Sequence, residues 1–423
     1  MSSMADIESN ESQVRSYSRA FPAIFKSALG STIYDIEGRS YVDFFSGAGG
    51  QNYGHNHPII KQKMVDFLAS DGILHSLDMA TDVKVSFINT FKNVILEPRG
   101  LDYRLQFTGP TGANAVEAAL KLARLKTGRS NIIAFTHSFH GVSLGALATT
   151  SNSHFREAAG VGLSNVTFLP YENYTRGIDS IEYLEAVLND SSSGIDKPAA
   201  IILETIQGEG GINVASSDWL KQVAKIASAH NILLIVDDIQ AGCGRSGDFF
   251  SFEESGITPD IVVLSKSISG SGLPMSLLLI KPEYDIWKPA QHNGTFRGNT
   301  LAFVSAEAAI DTFWRAEDFS VEVKRKGKII REDLKKISID NKELKLKVRG
   351  RGMFNGLVFE DESIANQVRK LAFEKGMIIE LCGARDEILK VMPPLTIDRE
   401  TLSVGMAIIA DAISELARSD YTN

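Results

Sequence analysis

Ile235-Val236-Asp237-Asp238-Ile239-Gln240, followed later by Ile261-Val262-Val263-Leu264-Ser265-Lys266, decides the fold of this chain. Each stretch holds a short, continuous apolar run that leads to a charged side chain, Asp237 directly in the first and Lys266 after one serine in the second. Such runs, separated by helical patterns, read as parallel strands covered on both faces. Working outward, Ile132–Phe135, Val166–Leu169, Ala200–Leu203, Ile232–Val236, Ile261–Leu264 and Leu277–Ile280 all have this character. Between them, Asn114–Lys126 places Ala115, Ala118, Ala119, Leu122 and Ala123 on one helical face and stops at Gly128. Asp218 is expected to cap a helix through Leu220, Val223, Ala224 and Ile226. The middle of the chain is therefore an α/β layer structure. The segments before about residue 60 and after about 312 carry shorter, mixed patterns and are expected to combine into a smaller α+β domain. The expected division is 1–60 for the arm and part of the small domain, 61–312 for the large domain, and 313–423 for the rest of the small one.

The chain's 423 residues suffice for two such bodies, each with a core. Its formal net charge of −8 is spread along the chain without a basic block, which argues against nucleic-acid binding. The charge-dense stretch 322–348 reads as a solvated helix face. Two distant cysteines, Cys243 and Cys382, make neither a disulfide framework nor a metal-ligand set. A reducing cytoplasm is expected. Met1–Ser18 is polar and lacks the apolar centre of a signal peptide. No apolar run reaches the roughly 20 residues needed to span a bilayer.

Ligands of open α/β sheets bind beyond the carboxyl ends of the strands. Asp237 and Lys266 both stand there, at the ends of successive strand units. Either alone has an ordinary reading, a turn-capping acid or a solvated lysine. Together they suit pyridoxal phosphate (PLP): the lysine bonds the cofactor aldehyde, and the acid keeps the pyridine nitrogen protonated so that the ring takes up electrons. Thr108-Gly109-Pro110-Thr111-Gly112-Ala113-Asn114 runs straight into a helix start, where free backbone N–H groups bind anions. Phe139-His140-Gly141 follows the strand Ile132–Phe135, where an aromatic ring can lie over a planar cofactor.

These segments resemble the class III (subgroup II) aminotransferases, which have the PLP fold type I. The resemblance rests on Ile235-Val236-Asp237-Asp238-Ile239-Gln240, Gly242-Cys243-Gly244-Arg245-Ser246-Gly247, Pro259-Asp260 and Leu264-Ser265-Lys266. It extends through Glu204-Thr205-Ile206-Gln207-Gly208-Glu209-Gly210-Gly211 and Gly294-Thr295-Phe296, and from Tyr34-Asp35-Ile36-Glu37-Gly38 to Met392-Pro393-Pro394-Leu395. It implies a mostly parallel seven-stranded sheet in the large domain. It implies that Lys266 bonds the cofactor and shuttles protons, that Asp237 pairs with the pyridine nitrogen, and that Gln240 lies near the ring hydroxyl. Phe139 would stack on the ring with His140 beside it, and Thr111, Gly112 and Ala113 would hold the phosphate. Thr295 would reach the phosphate of a neighbouring subunit, so a homodimer or a dimer of dimers is implied.

Two departures bear on the substrate. The second acid of the signature is Asp238 rather than Glu. Lys390 stands where the family has a carboxylate-binding Arg, and lysine cannot reproduce that two-pronged contact. Arg297 is a candidate to supply the missing guanidinium. The wording Phe296-Arg297-Gly298-Asn299, with Ser46-Gly47-Ala48-Gly49-Gly50-Gln51-Asn52-Tyr53-Gly54-His55 and Val14-Arg15-Ser16-Tyr17, resembles the diaminobutyrate–2-oxoglutarate branch that opens ectoine biosynthesis. That resemblance implies glutamate as amino donor, aspartate 4-semialdehyde as acceptor, and diaminobutyrate and 2-oxoglutarate as products. Members of this branch often depend on potassium, for which no ligand set is visible. Glu209, as an acid able to pair with a nearby cation and release it, would let one pocket take both glutamate and a terminal aldehyde.

Ornithine, acetylornithine and 4-aminobutyrate aminotransferases share the cofactor residues and remain alternatives. From another class, Gly141-Val142-Ser143-Leu144-Gly145 fits the serine-hydrolase elbow, but Thr136–Phe139 separates it from its strand, and Ser143 reads better as a helix start. His55/His57 and His137/His140 lack helical metal-ligand spacing, and no metal site is expected. No strand is followed by a dinucleotide or nucleoside-triphosphate glycine pattern.

Overall fold

The computed structural model describes residues 3–419, so the first two residues of the arm and the last four of the C-terminal segment lie outside the described part. Seven strands build the central sheet: β1 (Arg104–Phe107), β2 (Ile132–Phe135), β3 (Val166–Leu169), β4 (Ala200–Leu203), β5 (Leu233–Asp237), β6 (Ile261–Ser265) and β7 (Ser276–Ile280). Their order is β1-β7-β6-β5-β4-β2-β3. All six expected runs are strands, and the apolar run is continuous because both faces are covered. Leu234 and Val236 enter one core with Leu203, Leu264, Phe249 and Trp219. Leu233 and Ile235 enter the opposite core, against Ala115, Ala118, Ala119 and Leu122 of helix α1 (Gly112–Thr127).

Two features depart from the sequence reading. The strand β7 runs antiparallel to both its neighbours, β6 and β1, while the other six strands share one direction. The seventh strand, β1, is a short edge element with an exposed Arg104 and only Phe107 fully buried, so it carries no continuous apolar run.

Helix boundaries follow their caps. Thr111 accepts the N–H of Asn114 and starts α1 at Gly112, two residues before the expected start, and Gly128 ends it in the left-handed region. The short helices α2 (Leu144–Ala148) and α3 (Ser153–Arg156) follow β2. For α4 (Ser217–Ala229) the cap is Ser216, which accepts the Trp219 N–H; Asp218 sits inside the first turn instead of capping it. The acid there still complements the positive end of the helix.

The chain's two ends build the second body. Strands Phe25–Leu29, Thr32–Asp35 and Ser40–Asp43 form a sheet that is completed by Met377–Ile378. Beside it lies a second sheet of β8 (Lys347–Arg351), β9 (Phe354–Val358), β10 (Glu380–Cys382) and β11 (Ile388–Val391), in the order β8-β9-β11-β10. Helices α5 (Asp318–Asp340) and α6 (Arg399–Ser419) cover them over a core that includes Phe44, Ile330, Leu357, Leu389 and Ile409. The β10–β11 register sets Glu380 opposite Lys390. No helix among the described residues is long and apolar enough to cross a membrane.

Candidate active site

The adjacent strands β5 and β6 deliver Asp237 and Lys266 to one end of the sheet, where both line a cavity of 180 Å³. The same cavity is lined by Gly112, Ala113, Phe139, His140, Glu209 and Gln240, so most of the expected cofactor residues meet in one place.

Asp237 is buried, with Oδ2 2.8 Å from His140 Nδ1 and Oδ1 accepting the Ile239 N–H at 3.2 Å. These two fixed contacts hold its carboxylate in one orientation. His140 Nε2 is buried and has no hydrogen-bond partner among the described residues. Burial would push the His140 ring down, but the bond to Asp237 outweighs it and raises its affinity for a proton. Lys266 adopts φ 55°, the left-handed region, directly after β6. Its ammonium makes no hydrogen bond among the described residues, and burial lowers its pKa despite the opposing pull of Glu209.

At the start of α1 the N–H groups of Gly112 and Ala113 have no partner within the described residues, as the first turn of any helix leaves them. Thr111 lies at the same turn but spends its hydroxyl on the Asn114 N–H and does not line the cavity. Phe139 presents its ring, braced edge-on by Phe155 at 5.3 Å. Gln240 Nε2 donates to Ala48 O at 2.8 Å and to Glu209 Oε1 at 3.1 Å.

An orphaned imidazole nitrogen, an unbonded buried amine and two free helix-start N–H groups face a cavity that also holds a carboxylate and an aromatic ring. That donor set fits PLP. The phosphate would lie on Gly112 and Ala113, the pyridine nitrogen on Asp237, the ring on Phe139 and the aldehyde at Lys266.

Beside this cavity lies an ion cluster. Lys390 Nζ is wholly enclosed, 2.6 Å from Glu209 Oε1 and 2.9 Å from Glu380 Oε1. Burial alone would push Glu209 up, yet Lys390, then Lys266, hold it at about 2. For Glu380 burial wins over Lys390 and the carboxyl is raised. Tyr17, from the N-terminal arm, donates its hydroxyl to Glu380 Oε2 at 3.3 Å.

Within one chain, Arg297 does not line the cavity; its guanidinium pairs with Asp78 near the surface. Thr295 is likewise exposed and outside the cavity. Ser143 stands at the N-cap position of α2 without a side-chain cap bond and donates to Glu117 Oε1 at 2.8 Å, a bond to a carboxylate where the elbow of a hydrolase would need a histidine. Sequence reasoning gave no role to Glu204, Glu380 or Tyr17. Glu204 lines the cavity and accepts the N–H groups of Phe139 (3.0 Å) and Gly208 (3.2 Å), and burial pushes its carboxyl up to about 7. The signal was present, because Glu204 follows the run Ala200–Leu203 as Asp237 belongs to the run in β5.

Comparison with known proteins agrees with this geometry. The chain is 56% identical over 411 residues to a diaminobutyrate–2-oxoglutarate transaminase of Bordetella parapertussis, spanning 96% of this chain and 94% of that one. An enzyme of the same description from Vibrio cholerae is 53% identical over 406 residues, spanning 96% and 98%. Among solved structures, an ornithine aminotransferase of Toxoplasma gondii, described with PLP at its active site, matches with a TM-score of 0.84 and 25% identity over 98% of this chain and 95% of that one. The family model of the class III aminotransferases matches residues 14–413, and the chain belongs to that family.

Proposed function

We propose that this chain is a PLP-dependent transaminase that moves the amino group of L-glutamate to the terminal aldehyde of L-aspartate 4-semialdehyde, giving L-2,4-diaminobutyrate and 2-oxoglutarate. The observation that carries the reaction class is the single cavity that Asp237 and Lys266 share at the ends of adjacent strands. The substrate pair is supported by relatives of 50% to 56% identity that bear the diaminobutyrate–2-oxoglutarate description. The placement at the opening of ectoine synthesis rests on the loop resemblance alone.

When bound, PLP supplies an aldehyde that bonds amines and a ring that takes up the electron pair left on the reacting carbon. Burial favours the neutral amine at Lys266 Nζ, the form that takes a proton from the substrate carbon bearing the amine. Asp237, aimed by His140, would hold the pyridine nitrogen and supply the carboxylate that favours a proton there. Gly112 and Ala113 would hold the phosphate through their N–H groups, and Phe139 would offer its ring to the cofactor.

Glutamate carries a carboxylate on its reacting carbon; diaminobutyrate does not. With Glu209 on Lys390 the pocket offers no free cation beside Lys266, which suits the diamine. When Glu209 swings away, Lys390 becomes available to the α-carboxylate of glutamate. Glu380 remains its counter-ion, which matters because stripping a buried charge of its partner costs about 3–5 kcal/mol.

A homodimer supports the rest of the site. The chain from Ile59 to Met79 is a stretch that exposes seven large apolar side chains, Ile59, Val65, Leu68, Ile73, Leu74, Leu77 and Met79. It touches the Thr295 loop, with His75 edge-on to Phe296 at 5.3 Å and Asp78 on Arg297. A second copy covering this stretch would bring Thr295 to a neighbouring phosphate.

The test is spectroscopic. The purified protein with PLP is mixed with L-2,4-diaminobutyrate without a keto acid. Bleaching of the visible cofactor band, reversed by 2-oxoglutarate, is the expected result. A band bleached by ornithine or 4-aminobutyrate alone refutes the substrate assignment, and no band at all refutes the role of Lys266.

A further inference from the structure

A second cavity of 420 Å³ adjoins the first and shares Phe139 and Glu209 with it. Of the residues that line it, Arg156 alone carries a permanent positive charge; His137 also lines it, but burial lowers its affinity for a proton. Arg156 closes α3 and is only half-buried. Its Nη1 is fixed by three carbonyls, those of Leu147 (3.2 Å), Ala148 (3.2 Å) and Thr150 (2.8 Å). Its plane rests over the Phe168 ring, 5.2 Å from the centroid. Nε and Nη2 have no hydrogen-bond partner, and no carboxylate pairs with the guanidinium, among the described residues. By contrast, Arg99 is paired with Glu253 and Arg351 with Glu254. The cavity therefore runs from a carboxylate, Glu209, at its boundary with the cofactor pocket to an oriented, unneutralised guanidinium.

The chemistry of the two amines fits that gradient. Glutamate reacts at its α-carbon, and its side-chain carboxylate lies two methylenes away. Diaminobutyrate reacts at its terminal carbon, and its own carboxylate lies at the same number of bonds from the reacting centre. A single fixed cation therefore serves both halves of the reaction, while Lys390 deals with the carboxylate that only glutamate has. We propose that Arg156 is the common anchor for the distal carboxylate of both amines, a specificity-determining contact in the cavity adjoining the cofactor pocket. The proposal rests on the transaminase reading above.

The test uses the holoenzyme with Arg156→Gln and Arg156→Lys. Calorimetry with glutarate, an unreactive dicarboxylate, reads binding without turnover. Single-turnover bleaching reads Kd and limiting rate for glutamate and for diaminobutyrate. Loss of one charge-assisted contact weakens binding about 10- to 100-fold, so Arg156→Gln is expected to raise the Kd of glutarate and of both amines by that factor while the limiting rate changes by less than about threefold. Arg156→Lys, which keeps the charge, is expected to recover part of the loss; should Arg156→Gln not fold, a smaller rise of all three constants in Arg156→Lys is the supporting result. Unchanged Kd values overturn the proposal. So does a fall in rate with Kd unchanged, or a rise confined to glutamate, since either would leave Arg156 a mere helix cap or a one-substrate contact. Wild-type protein inert towards diaminobutyrate would refute the substrate reading, while glutamate and glutarate would still decide the role of Arg156.

Discussion

Lys390 is enclosed between Glu209 and Glu380, so its removal leaves two carboxylates in a space built for three charges. Lys390→Ala is expected to cost about 3–5 kcal/mol at pH 8 in a denaturant titration, because breaking a buried pair exposes the full desolvation cost of what remains. At pH 5 the penalty should shrink, since the orphaned acids can then take up protons. An equal penalty at both values would show that Lys390 acts by packing alone. Glu204 works in the opposite sense to Glu209. Its folded-state carboxyl is raised from an ordinary 4.5 to about 7, so the native state binds the extra proton between those values. Its contribution is full below pH 4.5 and is lost as pH rises through 7, an effect of roughly 3 kcal/mol. Asp238, raised to about 7 chiefly by burial, adds to the same slope. Stability of the cofactor-free protein should therefore fall between pH 5 and 8, and Glu204→Gln should flatten that fall. A slope unchanged in Glu204→Gln would mean that Glu204 does not titrate there. Glu209, held at about 2 by Lys390, contributes above pH 4.5 and loses its contribution only as pH falls towards 2.

At the scale of elements, the start of α1 serves two ends. Thr111 caps the helix through Asn114 N–H, and the same turn leaves Gly112 and Ala113 N–H groups facing the cavity. Thr111→Ala should lower stability by about 1 kcal/mol and also weaken PLP retention on dialysis, because fraying moves both N–H groups. Stability lost with no change in PLP retention would separate the cap from the cradle. The strands were legible for a plain reason. Leu233 and Ile235 face one core while Leu234 and Val236 face the other, so every position must be apolar. That same two-sided burial hides direction, and nothing in Leu277–Ile280 distinguishes β7 from its parallel neighbours. β1 escaped notice because an edge strand needs only one buried residue, Phe107. Asp237 and Lys266 could be read because each ends its own apolar run. Glu380 could not, for its meaning comes from standing opposite Lys390 in the β10–β11 register, which no local pattern encodes. Tyr17 lies in an arm without periodicity, and only its contact with Glu380 gives it a place.

At the scale of the whole molecule, the stretch between Ile59 and Met79 meets the loop that carries Thr295 through His75–Phe296 and Asp78–Arg297, so in the proposed dimer association and cofactor binding should fall together. Phe296, 67% exposed in the single chain, is the point to test. If the proposed dimer forms through this loop, Phe296→Glu should shift sedimentation towards the monomer and raise the apparent Kd for PLP by about tenfold or more, since a buried unpaired charge would oppose that interface. A dimer that persists with PLP binding intact would place the interface elsewhere. The second body has a different consequence, one of timing. Val42 pairs with Met377 and Phe44 packs with residues of α6, so the first strands of the chain find their partners near its end. During synthesis on the ribosome the strands from Phe25 to Asp43 must wait, with a sheet edge open, until the chain as far as Ile378 has emerged. Contacts so distant along the chain close slowly, and nascent edges left unpaired invite aggregation. The central sheet can assemble meanwhile, so the order of translation makes the N-terminal strands the last to be secured and the part of the newborn chain most in need of a chaperone.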